Sequence, residues 1–284
     1  MDIPAHYKIH TGRLLVKVLF YAFMLVLVLY YFFPMIWMVY SSFKNNITIF
    51  QSPFSLPEEF SFKNWSEAWR IGRIGDYAKN SVFITSVSVT CILLFSSAAA
   101  YAFARLQFRG RQLLFGCMVV GLFIPVQSYF IAQNSIIRWM GFTDTYLGLI
   151  FPYIAMELPL ATYILQVYFS SIPAEVEESA IIDGANRWAI YRRIMLPMVG
   201  PGMATAGVFT VISVWNEFLL AMLYIQNPDL KTLTVGMFAF SGQYKTNYAQ
   251  LFSGLSIITI PMIAVYFLFN KRIVAGMVEG AVKG

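Results

Sequence analysis

Four stretches of this chain, residues 18–40, 81–104, 113–137 and 251–270, contain no charged side chain at all. A helix needs about 20 mostly apolar residues to cross roughly 30 Å of hydrocarbon, and each stretch is long enough. Two more, 145–169 and 202–225, are equally apolar but carry one acid each, Glu157 and Glu217. Inside lipid every backbone N–H and C=O must be bonded within its own segment. The pattern therefore predicts an all-α membrane protein with six transmembrane helices.

Composition agrees. The chain is 58% hydrophobic and 12% charged, against roughly 45–50% and about 25% in soluble domains, so charge is too sparse to coat a soluble surface. The first stretch is longer than a signal core, lacks a small-x-small cleavage pattern and runs into Tyr40-Ser41-Ser42-Phe43-Lys44, which reads as an uncleaved first helix. Cys91 and Cys117 both fall inside predicted spans and suggest neither a disulfide frame nor a metal site. The expected layout is an N-terminal tail (1–17), a first transmembrane helix with a loop (18–80), a transmembrane core (81–270) and a C-terminal tail (271–284). A short external helix is expected near 65–71. Turn signals mark Asn227-Pro228-Asp229 and Ser241-Gly242 in a second external loop. Pro34, Pro125, Pro152, Pro159 and Pro261 inside the spans predict kinks.

Lys and Arg set the orientation. Lys8, Arg13 and Lys17 precede the first span, Arg105, Arg109 and Arg111 lie between the second and third, Arg187, Arg192 and Arg193 between the fourth and fifth, and Lys271, Arg272 and Lys283 after the sixth. Most of the rest lie in the long segment 41–80, and short loops carry the positive-inside signal. Both termini are thus expected in the cytoplasm. The net charge of +6 follows from this bias and calls for no nucleic acid or acidic substrate.

On the same side, between the fourth and fifth spans, lies AEVEESAIIDGANRWAIYRRIMLP (174–197). Pro173 suits a helix start, Glu175, Glu177 and Glu178 lie near the positive end of that helix dipole, and Gly184 permits a left-handed exit. The spacing is Glu178-Ser179-Ala180, then Gly184, then Ile194-Met195-Leu196-Pro197. It resembles the docking signature of the membrane subunits of ATP-binding-cassette (ABC) importers: Glu-Ala-Ala, three residues, Gly, nine residues, Ile-x-Leu-Pro. Ser179 replaces the usual Ala, a small residue for a small one. Pro201, Trp215-Asn216-Glu217-Phe218, Ile182-Asp183-Gly184-Ala185, Thr232-Leu233-Thr234-Val235-Gly236 and Gly280-Ala281-Val282-Lys283-Gly284 look like the maltose-type carbohydrate branch, in its smaller permease subunit.

The resemblance implies a cytoplasmic coupling-helix loop in which Glu178, Ser179, Ala180, Asp183, Gly184, Ala185, Ile194, Leu196 and Pro197 dock an ATPase. It implies a homologous permease partner, an ABC ATPase dimer that binds the ATP and Mg, an extracytoplasmic solute-binding protein, a sugar substrate, and a bacterial or archaeal plasma membrane. Gly276, Gly280 and Gly284 recur every four residues in the C-terminal tail; residue propensity alone favours a frayed tail, and the resemblance implies one ordered against the ATPase. The chain itself has no G-x-x-x-x-G-K-[ST] phosphate loop, so no cofactor is expected in it and it is read as a transport subunit rather than an enzyme.

Four polar residues within the spans are candidates for the translocation path: Gln127, Glu157, Asn216 and Glu217. A carboxylate at a helix centre costs about 2.5–3.5 kcal/mol on insertion scales, so Glu217 is expected to face the bundle interior, water or a partner. It is either a gate or a buried acid bracing its helix. Glu157 has the same two readings, the second through backbone freed by Pro159. A secondary transporter would call for ionisable relays or an inverted repeat, of which the two isolated acids give little sign. A membrane enzyme would call for a catalytic constellation, and His6 and His10 sit apart in the N-terminal tail. Within the ABC class, another small solute is the alternative to sugar.

Overall fold

The computed structural model describes residues 5–240 and 246–281, and the elements within them are all helical. In order they are α1 (Ala5–Ser41), α2 (Asn46–Gln51), α3 (Lys63–Ile71), α4 (Ile74–Arg105), α5 (Arg111–Gly121), α6 (Phe130–Trp139), α7 (Leu147–Ser171), α8 (Ala174–Ile182), α9 (Arg187–Ile190), α10 (Leu196–Met198), α11 (Gly200–Asn216), α12 (Leu219–Tyr224), α13 (Leu233–Gly236) and α14 (Tyr248–Ala281). Ser241-Gly242 and residues 282–284 of the expected tail lie outside the described residues.

Among the described residues, three helices are long and apolar enough to cross a membrane: Leu14–Ser41 within α1, α4 and α7. Segment Arg187–Met198 with α11 makes a fourth candidate, bent by 74°. The expected third span is divided between α5 and α6, with Pro125 in the break. Proline lacks the N–H that would continue a helix and pushes the residue before it toward extended backbone. The expected fifth span breaks at Glu217, whose φ of −64° and ψ of 130° are extended. Pro152 and Pro159 sit inside an unbroken α7. Several helices start before their apolar runs, α1 at Ala5 and α4 at Ile74 by the widest margins. Hydropathy marks the part of a helix that needs lipid, not where its hydrogen bonding begins.

The chain forms two compact units. In the first (Met1–Gly72 and Ala239–Ile257), Trp37 Nε1 donates to the Pro53 carbonyl at 2.8 Å and Lys44 Nζ to Ser52 and Pro53 carbonyls at 3.0 and 3.1 Å. Asn64 Nδ2 donates to the Ser42 and Lys44 carbonyls, both at 2.9 Å. These bonds order the segment after α1 and dock α3, the short helix expected from Trp65.

In the second unit (Arg73–Phe238 and Ile258–Gly284), α4 packs along α7 and α11 packs on both. Their shared core contains Ile84, Ile92, Leu149, Tyr153, Leu165 and Phe169, with Ser88, Ser96, Thr162 and Thr205 buried beside it. Small and hydroxylated residues at such contacts let helices approach closely without a water-driven hydrophobic term. At one end, Asn80 Nδ2 donates to the carbonyls of Asp229 and Lys231 at 2.8 and 2.9 Å, and Tyr146 Oη donates to Asn80 Oδ1 at 2.9 Å. The Asn227 side chain caps the Pro228–Leu230 turn, as its turn signal implies.

Candidate functional site

At the other end of α7 the chain leaves the bundle. Ile172 and Pro173 are extended (ψ 133° and 144°), and α8 begins directly after them. Its end is a Schellman closure: Ala185 N–H donates to the Ala180 carbonyl at 2.9 Å and Gly184 N–H to that of Ile181 at 3.0 Å. The geometry requires a left-handed residue, and Gly184 supplies it with φ +82°. A Cβ there would meet nothing within 4 Å, so backbone conformation alone explains the glycine. Asn186 then caps α9, its Oδ1 accepting from Ala189 N–H at 2.8 Å. The chain re-enters through a π-helical turn, Tyr191–Met195, just before Pro197, which has no N–H to give.

The predicted loop residues separate into two sets. Glu178, Ser179, Asp183, Gly184 and Pro197 are exposed, while Ala180 is buried and Ala185, Ile194 and Leu196 are half-buried against the core. Ala180 thus packs inward, on the face of α8 opposite the exposed residues. On the same face of α8 as Glu178, three and four residues on, Ile181 is 47% and Ile182 85% exposed among the described residues, and Trp188 on α9 is 65% exposed.

Glu177 points the opposite way and is only 7% exposed. Its Oε1 is 3.6 Å from Arg105 Nε and its Oε2 3.9 Å from Arg187 Nη1, within ion-pair reach but longer than hydrogen bonds. Arg105, the last residue of α4, also donates to the end of α7: Nε to the Phe169 carbonyl at 3.1 Å, Nη2 to the same oxygen at 2.7 Å, and Nη2 to the Ile172 carbonyl. The other half of the loop is held to α4 by Ser97 Oγ and Tyr191 Oη, 2.8 Å apart.

The path candidates do not form one cluster. Glu217 ends α11 and caps α12: Oε1 accepts from Leu220 N–H at 2.8 Å, and Oε2 accepts from Ala221 N–H at 3.1 Å and from Tyr153 Oη at 2.7 Å. Its carbonyl accepts from Thr234 Oγ1 at 2.9 Å. These contacts join the start of α12 to α7 and to Thr234. Glu157 Oε1 accepts from Ser213 Oγ at 2.6 Å, which ties α7 to α11 rather than using backbone freed by Pro159. Asn216 is exposed and donates to the Ile212 carbonyl at 2.8 Å. Gln127 is exposed in the turn between α5 and α6.

Sequence reasoning gave Glu177 only to the helix dipole and Arg105 only to orientation, and did not single out Tyr191. One signal was available: Glu177 lies three residues before Ala180 and so shares its face, whereas Glu178 is turned about 100° away.

Residues 92–279 match the family described as binding-protein-dependent transport system inner membrane component. The chain is 36% identical over 242 residues to the diacetylchitobiose uptake system permease protein NgcG of Streptomyces coelicolor, covering 84% of this chain and 80% of that one. It is 35% identical to the trehalose transport system permease protein SugB of Mycobacterium tuberculosis, over 81% and 84% of the two chains. A chain in the crystal structure of a bacterial ABC transporter that imports the acidic polysaccharide alginate superposes with a TM-score of 0.77 at 22% identity, over 95% of this chain and 99% of that one. At that identity the likeness speaks for the fold.

Proposed function

The chain belongs to the family of binding-protein-dependent transport system inner membrane components, and we propose that it is the sugar-importing permease subunit of an ABC transporter, with α8 as the helix that engages the ATPase. Relatives named for diacetylchitobiose and trehalose support an oligosaccharide or disaccharide as its solute. In this reading the chain crosses the membrane six times. The broken pairs α5–α6 and α11–α12 each serve as one crossing, and both termini lie in the cytoplasm. A second, homologous permease completes the pathway, a solute-binding protein delivers the sugar from outside, and a separate ATPase dimer binds ATP and Mg.

The observation that carries the proposal is the surface of α8. A short helix lies outside the long apolar ones, anchored on one side through Glu177 and Ala180, and offers Glu178 with exposed Ile181 and Ile182 on the other. Exposed apolar clusters rimmed by charge mark protein contacts, and a carboxylate in their midst calls for a basic partner residue.

Two substitutions test it. Glu178→Lys turns the charge contact into a repulsion, and losing such an interfacial pair costs about 2–5 kcal/mol. Ile182→Asp wets the apolar patch. Each should leave the permease inserted but prevent co-purification of the ATPase subunit. Full ATPase retention by both variants would refute the docking assignment.

A further inference from the structure

The covalent connection between α7 and α8 is two extended residues, Ile172 and Pro173. On its own such a link is a pivot: a force applied to α8 would swing it and leave α7 still. Yet three elements converge on one side chain at that pivot. The Arg105 guanidinium, from the end of α4, meets the Phe169 carbonyl at the end of α7, the Ile172 carbonyl in the link and the carboxylate of Glu177 on α8. The α7 carbonyls are the unsatisfied, electronegative end of a helix, and a planar guanidinium holds its five donors in a rigid fork, whereas an ammonium is a compact charge on a flexible stem.

We propose that Arg105 and Glu177 are positioning residues that form a strut across the α7–α8 pivot, so that α8 moves as one body with the adjoining ends of α4 and α7. This rests on the reading of α8 as the ATPase-docking helix. It assigns the two neighbouring acids opposite tasks: Glu178 faces the partner, and Glu177 carries the partner's movement inward. Arg105 and Glu177 side chains are only 12% and 10% exposed. A buried pair of this kind is weak as a source of stability but strongly destabilised when one member is removed, which suits a joint better than a general brace. Arg187, on the far side of the Gly184 turn, is 62% exposed and adds little, as exposed ion pairs do. The loop's second half has its own tie to the same helix through Ser97 and Tyr191, so α4 is the common reference for both halves.

The test uses the assembled transporter, with its partner permease and ATPase, in lipid nanodiscs. Cys91 and Cys117 are replaced by Ser, and spin labels are attached through Glu175→Cys on the exposed face of α8 and Leu94→Cys on the exposed face of α4. Electron–electron distance measurements compare the nucleotide-free complex with one trapped by ATP and vanadate, so no solute need be known. With Arg105 and Glu177 intact, the distance distribution should be the same in both states. In Glu177→Gln, and independently in Arg105→Lys, trapping should broaden it and add a second population while the ATPase stays bound. A purely structural role would alter the distribution equally with and without nucleotide. The strut is refuted if the unmodified pair already shifts on trapping, if both variants behave as the parent does, or if Glu177→Gln releases the ATPase. Failure of the docking reading is separate: it would appear as ATPase retention by Glu178→Lys and Ile182→Asp, whatever the distances do.

Discussion

Replacing Glu217 by Ala should destabilise the fold through the loss of three buried hydrogen bonds. The carboxylate accepts three hydrogen bonds, from Leu220 and Ala221 N–H and from the Tyr153 hydroxyl. Leu220 and Ala221 are 0% and 1% exposed and Tyr153 2%, so water does not replace the lost acceptor. Hydrogen bonds to charged groups contribute about 1.5–3 kcal/mol each, and loss of a helix cap alone costs about 0.5–2 kcal/mol. The three share one acceptor and are not additive, which puts the loss at roughly 3–5 kcal/mol, the range reserved for breaking a buried network. About 2–4 °C per kcal/mol at this chain size makes the fall in apparent Tm on the order of 10 °C. The assay is thermal unfolding in detergent, read by a thiol-reactive fluorophore reaching Cys91, with the exposed Cys117 replaced by Ser. Glu217→Gln keeps one acceptor oxygen and should fall between Ala and the parent. A change within about 2 °C for Glu217→Ala would show that the carboxylate braces nothing and return it to the solute path.

Gly184→Ala introduces no clash but forces a Cβ into a left-handed residue, so it should cost about 1–2 kcal/mol and Gly184→Asn less; equal Tm values for all three residues would refute the Schellman account. Ser97→Ala and Tyr191→Phe should each cost about 1 kcal/mol through the same 2.8 Å hydrogen bond, with the double variant little worse than the worse single one. Additive losses would mean that the two hydroxyls act separately.

What the sequence revealed and what it hid divide by the range of the forces. Gly184 was legible because the left-handed exit from α8 is a local requirement that few residues other than glycine meet, and the closing bonds lie within six residues. The Asn227 turn and α3 were legible for the same reason. The start of α4 was not. Residues 74–80 include Asp76, Lys79 and Asn80, too polar for an apolar run, yet Asn80 is held in place by carbonyls on a loop 149 and 151 residues away. Pro125 marked the place where the third apolar run breaks, but the break in the fifth was hidden because hydropathy counts side chains and ignores backbone. A helix can end inside such a run wherever a side chain takes over its hydrogen bonds, as Glu217 does for α12.

The two adjacent acids of α8 show the limit most plainly. Consecutive helical residues point about 100° apart, so Glu177 and Glu178 cannot serve one surface, and the motif spacing drew attention to the exposed member. Helical geometry can say that Glu177 shares the face of buried Ala180. What makes a carboxylate tolerable on that face is Arg105, a residue that charge counting had already used to set the orientation of the second span. A cation at a membrane boundary is consistent with topology wherever its side chain points. Its second role appears only when the ends of α4, α7 and α8 meet, and there one guanidinium satisfies the α7 carbonyls while balancing an acid that would otherwise be buried alone. The same arginine thus belongs to topology by its position and to the α8 anchorage by its hydrogen bonds, and of the two only the second distinguishes Arg105 from Arg109 and Arg111.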